Sequence, residues 1–399
     1  MDYDFPEFPR QEYENRLSKL KAAMSQADLD AVVLTEEVNI RWLAGYWVFT
    51  MMDGTMPTAV IVPLSDRIEP QLIVPGDGTG EELSWMKKVR YWERADETLL
   101  TADKGRVLLE SLREASPDSR RIGMELGNGM MINLDQKVTD FFRASVGDAQ
   151  IVDVSKDILE IRSVKSSGEI EKLRKASEIT NNSMIEGFKI LREGMTERGL
   201  GQFFVKYWFE NGATGIGHVG VTFARDAIKY AHSDPKEYPL EKGALAKVDI
   251  GCTFEGYRSD MYRMACIGNP DSKEAEVAST IEKALRAVTE NIREGARCSE
   301  LHAMAAGIFE SKGLEHLLSP STYIGHGIGL AAHEPPYLYN DSKDVLQSGM
   351  VLSIEPWTLD RGNSSLCMNI EDVVVVRKDG CEVLTTMPRE IFQQDTSKY

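Results

Sequence analysis

Positive charge, cysteine pairs and long apolar runs are all scarce in this chain, and each scarcity narrows what the protein can be. Its 399 residues carry 46 Lys and Arg against 63 Asp and Glu, a net charge of −17. Such a balance repels polyanions, which disfavours nucleic acid and anionic membrane as partners. There are five cysteines, Cys252, Cys266, Cys298, Cys367 and Cys381, all in the second half and without a CxxC pair. An odd number at irregular spacing points to free thiols in a reducing compartment. The first residues, MDYDFPEFPR, are acidic and lack the basic start and apolar core of a secretory signal. No apolar run approaches the length of a membrane-spanning helix. A cytoplasmic location is therefore expected. Neither a tandem repeat nor a low-complexity tract is visible.

What is present is a long chain with a change of pattern in the middle. Residues 11–27 have helical periodicity, and apolar stretches at 29–35, 58–64, 70–76, 88–92 and 120–126 read as strands. NIRWLAGY is a helical turn stopped by Gly45, and further helices are expected over 95–116 and 131–145. This alternation predicts an α/β domain over residues 1–158. Residues 155–194 read as long, charged helix, with Ser166, Ser167 and Gly168 before Glu169 as a capped start. Helices continue to Asn211. Strands at 219–224, 245–251 and 257–267, helices at 273–293 and 299–312, and a strand-rich end from 348 to 386 follow. These define a second, α+β domain over 159–399.

The chemistry concentrates in AKVDIGCTFEGYRSDMYRM, residues 246–264. Two extended runs flank the turn signal Glu255-Gly256, so a hairpin brings Asp249 beside Asp260. Two carboxylates so close repel each other unless one takes a proton or a cation lies between them. His326 in YIGHGIGLAAHE, Glu355 in VLSIEPW and Glu371 in MNIEDVVVV supply further donors. Two Asp, one His and two Glu suffice for two divalent first-row ions.

These residues carry a resemblance to the pita-bread metallopeptidase family (M24), which includes methionine aminopeptidase, aminopeptidase P, prolidase and the metal-free creatinase. The family's five metal ligands match Asp249, Asp260, His326, Glu355 and Glu371 in order. KYAHSDPKEYPLEKGALAKVDIG resembles the segment with its substrate-side histidine, here His232, and GHGIGLAAHE resembles its histidine motif. DLDAVVLTEEVNIRWLAGY is similar to the first strand and turn of the creatinase-type N-terminal domain, and RSVKSSGEIEKLRKASEI to the segment opening the catalytic domain. The resemblance implies a creatinase-like α/β domain followed by an α+β pita-bread catalytic domain with a curved mixed sheet, in a homodimer. It also implies two divalent ions drawn from Mn, Co, Zn or Fe, with Asp260 and Glu371 bridging, Asp249 on one ion, and His326 and Glu355 on the other. Glu355 would take the proton of the attacking water. His333 would hydrogen-bond the oxyanion, and His232 the substrate amide or carboxylate. The implied reaction is hydrolysis of a C–N amide bond, at Xaa-Pro peptides first, in a dipeptide or longer substrate. A small amide or amidine (ectoine-hydrolase-like) and a dimethylsulfoniopropionate-lyase-like reaction are the alternatives. A metal-free binding module of this fold is disfavoured because all five ligands are retained.

Three positions depart from the peptidase pattern: Asn369 stands where arginine is usual, Trp357 where glycine is, and Tyr262 where threonine is. They alter the pocket and leave the metal core intact. Among the remaining histidines, His218 is either near the pocket or a satisfied structural residue, and His302 and His316 are expected to be surface or packing residues. Trp42, Tyr46 and Trp47 read as core by default; in the creatinase-like architecture this region of one subunit can reach its partner's pocket.

Overall fold

The computed structural model describes residues 7–48, 51, 58–76, 80–92, 102–127, 129–223, 234–318, 323–360 and 362–394. The chain divides into two compact units, Met1–Arg162 and Ser163–Tyr399, a few residues beyond the 158/159 division expected from the sequence.

The first unit opens with α1 (Arg10–Gln26), whose Tyr13, Leu20 and Met24 turn inward at helical spacing. It continues with β1 (Ala31–Leu34), α2 (Glu37–Ala44), β2 (Ala59–Pro63), β3 (Gln71–Pro75), β4 (Lys88–Trp92) and α3 (Ala102–Ala115). Then come β5 (Arg121–Met124), α4 (Gln136–Ser145), β6 (Gln150–Asp153) and α5 (Ser155–Ser163). The six strands form one mixed sheet in the order β4-β3-β2-β1-β5-β6, with β1 antiparallel to β2 and parallel to β5. α2 stops at Gly45, which takes φ 68, a conformation open to glycine at no steric cost. Trp42 and Tyr46 are buried in this unit, as their default reading had it, while Trp47 is exposed and lies beneath the Arg41 guanidinium. The first part of the helix expected over 95–116 falls outside the described residues.

The second unit begins with α6 (Ser167–Lys189). Ser166 caps it: its hydroxyl accepts from the Glu169 amide, and Glu169 accepts from the Ser166 amide. The helical stretch over 155–194 is thus interrupted before the capped start expected at Ser166–Glu169. Val164 bridges to Met350, the Lys165 amide donates to Gly349 O, and the buried Lys165 ammonium pairs with Glu334 at 2.7 Å. The ion pair and the strand-like bridge hold the break extended, and the cap restarts the helix.

The unit continues with α7 (Glu197–Glu210), β7 (Gly215–Thr222), β8 (Leu245–Phe254), β9 (Tyr257–Arg258), β10 (Met261–Ile267), α8 (Ser272–Asn291) and α9 (Cys298–Glu310). Its last third holds β11 (Gly325–Gly327), β12 (Glu334–Tyr337), β13 (Val351–Ile354), β14 (Asp372–Arg377), β15 (Gly380–Val383) and β16 (Phe392–Gln394). The curved mixed sheet expected here is divided into two five-stranded sheets. One has the order β16-β10-β8-β7 with β9 on β8; the other runs β12-β11-β13-β14-β15. α6 and α7 cover the first sheet through Phe188, Phe204 and Trp208. α8 covers the second through Val277, Ile281, Leu285 and Val288, a helical stripe of which each side chain contributes about 1.5–3 kcal/mol by burial. Both sheets are thus rigidly backed on one side, and the acids and histidines of the sequence motifs stand where the two sheets meet.

Candidate metal centre

The first sheet supplies three donors. Phe254 pairs with Tyr257 across a two-residue turn, and Glu255 and Gly256 both take positive φ (47° and 86°), as a type I′ hairpin requires. The register sets Tyr262 beside Asp249 and Met261 beside Ile250, so Asp260 falls opposite Gly251. From the other flank, His218 on β7 also pairs with Gly251. Paired residues share a face of the sheet, and His218, Asp249 and Asp260 therefore converge. His218 Nε2 lies 2.8 Å from Asp249 Oδ1 and 3.3 Å from Asp260 Oδ1.

The second sheet supplies the rest. His326 sits in the middle of β11, paired with Ser353 on one side and Tyr337 on the other. Its neighbour Gly327 must be glycine, since a Cβ there would come within 2.7 Å of the Glu334 carbonyl oxygen. Glu355 follows β13, and its amide donates to Ile324 O at 2.8 Å. Glu371 precedes β14; its amide donates to Tyr262 O at 3.2 Å and so ties the two sheets together. Ser353 Oγ donates to Glu371 Oε1 at 2.7 Å. Beneath it, the buried Arg263 donates to Glu371 O and pairs with Asp372 at 2.6 Å, and Arg389 holds the other Asp372 oxygen at 2.7 Å. This buried ion cluster fixes the backbone that carries Glu371. The sequence reading passed over it, although an arginine in a strand and an aspartate directly after a ligand glutamate are its signal.

The electrostatics of the cluster fit divalent cations. Burial, followed by Asp260, Glu355 and Asp249, pushes the Glu371 carboxyl well above the usual carboxylate range. Burial likewise raises Glu355, against the pull of His326. At Asp260 the cost of burial is outweighed by His218, and the carboxyl is held low. At His218 burial is in turn outweighed by Asp260 and Asp249, which raise the imidazole well above its ordinary value. Glu371 and Glu355 thus favour their protonated forms and His218 its imidazolium, protons standing where cations would otherwise balance the acids. The orientation of His326 agrees. Its Nδ1 lies 2.9 Å from Gly327 O, which can only accept, so Nδ1 carries a proton and Nε2 is the nitrogen turned to the acids. Nε2 is buried without a hydrogen-bond partner, 3.2 Å from Glu355 Oε1 and 3.8 Å from Asp260 Oδ2. Against the cost of burial, Glu355 and Asp260 raise the proton affinity of this ring, and a bound cation would take the place of that proton at Nε2. Among the described residues, two donor groups have their ligand atoms within 4.8 Å of one another: His218, Asp249 and Asp260, and Asp260, His326 and Glu371.

The other expected residues are distributed as follows. His333 is an exposed residue whose ring centroid lies 4.2 Å from that of His326, and Tyr323 stands edge-on to both. His232 lies outside the described residues. Asn369, at the usual arginine position, donates to Glu355 Oε2 at 3.0 Å and so orients that acid with a neutral amide. Trp357 is half-buried two residues beyond Glu355. His302 is buried on α9 and His316 is exposed. His218, which the sequence left open, faces the acids directly.

The comparisons with known proteins agree with this geometry. Residues 171–378 match the profile of the metallopeptidase family M24, and residues 16–164 that of the creatinase/prolidase N-terminal domain. The chain belongs to metallopeptidase family M24. It is a metal-dependent hydrolase of the peptidase type, with a creatinase-type α/β domain ahead of a pita-bread catalytic domain. Similar proteins include an Xaa-Pro dipeptidase of Pyrococcus furiosus, 26% identical over 383 residues, or 95% of this chain and 100% of that one. An uncharacterized peptidase of Bacillus subtilis is 24% identical over 388 residues, 94% of this chain and 99% of the other. The crystal structure of dipeptidase PepE from Mycobacterium ulcerans superposes with a TM-score of 0.81 at 26% identity, covering 97% of this chain and 99% of that one. These comparisons favour neither the small-amide nor the lyase alternative.

Proposed function

We propose that this M24 peptidase is an Xaa-Pro dipeptidase with a two-ion centre. Asp249, Asp260, His326, Glu355 and Glu371 would hold two divalent ions from among Mn, Co, Zn and Fe, with Asp260 and Glu371 shared. The observation that carries the reading is the placement of Asp260, which turns Oδ1 toward His218, itself on Asp249, and Oδ2 toward His326. Bound ions would polarise the scissile carbonyl and acidify a water. The remaining work falls to the chain's own groups. Glu355, its carboxyl raised by burial and oriented by Asn369, takes the water proton and returns it to the departing amine nitrogen. His333, beside His326 and facing solvent, donates to the oxyanion that develops on the carbonyl oxygen. His232 is assigned to the substrate amide or carboxylate. The Xaa-Pro dipeptidase named among the relatives supports the substrate class. The five free cysteines suit a reducing cytoplasm, and a homodimer is the expected assembly.

The test is an assay of Mn-loaded protein on Xaa-Pro dipeptides and on longer Xaa-Pro peptides. Trp357 in place of glycine narrows the room beside Glu355, so dipeptides should be cleaved slowly, longer peptides no faster, and Trp357→Gly should raise the rate. Rapid cleavage of long peptides would make the enzyme an aminopeptidase P. Turnover of no Xaa-Pro substrate by metal-loaded protein would overturn the substrate class.

A further inference from the structure

The geometry points to His218 as a sixth metal ligand, holding the ion on the Asp249 side of the centre as His326 holds the ion on the Glu355 side. This rests on the reading above that the centre takes two ions. Asp260 presents a different oxygen to each imidazole: Oδ1 stands 3.3 Å from His218 Nε2, and Oδ2 stands 3.8 Å from His326 Nε2. One carboxylate with an imidazole nitrogen facing each of its oxygens is the arrangement of a bridge between two nitrogen-bearing positions. The strand geometry makes room for it. The β7 register shifts between Ile216 and His218, which brings His218 opposite Gly251. Gly251 leaves the space that the ring occupies, because a Cβ there would lie 2.9 Å from His218 Cε1 and would collide with the Ser259 carbonyl. His218 thus reaches across an empty position to Asp260 and along the sheet to Asp249.

The assignment changes the chemistry of that position. Without His218 the Asp249 side is built from carboxylates alone, the donor type that suits Mn, Mg and Ca. With it, each position carries one imidazole, which moves preference toward Zn, Fe, Co and Ni. The competing role for His218 is that of an imidazolium standing in the place of one ion.

The test is titration of metal-free protein with Co(II), followed by calorimetry and by paramagnetically shifted proton NMR. It compares the wild type with His218→Gln and His218→Ala. The wild type should take up two ions and show two shifted imidazole N–H resonances. His218→Gln keeps a donor to Asp249, so a structural role would be rescued; it should show one shifted resonance and bind one of its ions roughly tenfold or more weakly. His218→Ala should behave alike, with far-UV circular dichroism reporting its fold. Wild-type spectrum and affinity in both variants would overturn the assignment. So would one ion in the wild type and two in His218→Ala, which would show the imidazole replacing an ion. Binding of no Co(II) by the wild type would overturn the two-ion reading itself.

Discussion

His326 and His333 stand with their rings 4.2 Å apart, yet their surroundings give them different tasks. His326 is fully buried, with its Nδ1 proton committed to Gly327 O and its Nε2 turned on the acids. His333 is open to solvent at the edge of the same cluster. His326→Ala should therefore lose metal first and activity with it. His333→Ala should keep its metal and lose about two to three orders of magnitude in kcat, as removal of one oxyanion donor does elsewhere. Metal analysis alongside kinetics separates the two, and equal metal loss in both variants would show that His333 is a ligand. These histidines and the four acids stand out in the sequence because their segments resemble, in order, the ligand and histidine motifs of the family; taken singly, none of them would. His218 does not stand out. Its strand reads as beginning at residue 219, and the GIGH segment before it has too little side chain to announce a strand.

At the scale of elements, the hairpin of β8 and β10 is the part the sequence shows best, since alternation and a Glu-Gly turn specify both its strands and its register. β11 and β12 are the parts it hides. GHG has almost no strand propensity, and EPPY carries two prolines, which mark an edge strand at most. Their pairing is imposed from outside by β13 and by the close approach that Gly327 permits. The hairpin has its own point of dependence at Gly251, between His218, Asp260 and the Ser259 carbonyl. Gly251→Ala is expected to destabilise the catalytic unit by roughly 3 kcal/mol, the upper end of an overpacking cost. It should also lower metal content, because the backbone that carries Asp260 must move. Denaturant midpoints and bound metal test this together, and an unchanged midpoint would show that the hairpin relaxes freely.

For the whole molecule, ligand binding and stability are linked through the second unit, which contains every donor. At about a hundredfold excess over its Kd, a divalent ion should stabilise that unit by about 2.7 kcal/mol and raise its melting temperature by about 5–10 °C. The gain should shrink as pH falls. Glu371, His218 and His326 all have their proton affinities raised in the metal-free protein. A bound ion must displace those protons, and at lower pH they compete better. Calorimetric scans with and without Mn at pH 8 and pH 6 measure both effects. A gain independent of pH would show that the acids are already bare before metal arrives.

The tie between Glu371 and Tyr262 joins two sheets that each hold only part of the donor set. Neither sheet could complete the proposed two-ion set if it formed alone. During synthesis the chain leaves the ribosome with β7, β8 and β10 first, so their three donors must wait for β11, β13 and β14. Completion of the proposed two-ion centre would then follow the docking of the last strands.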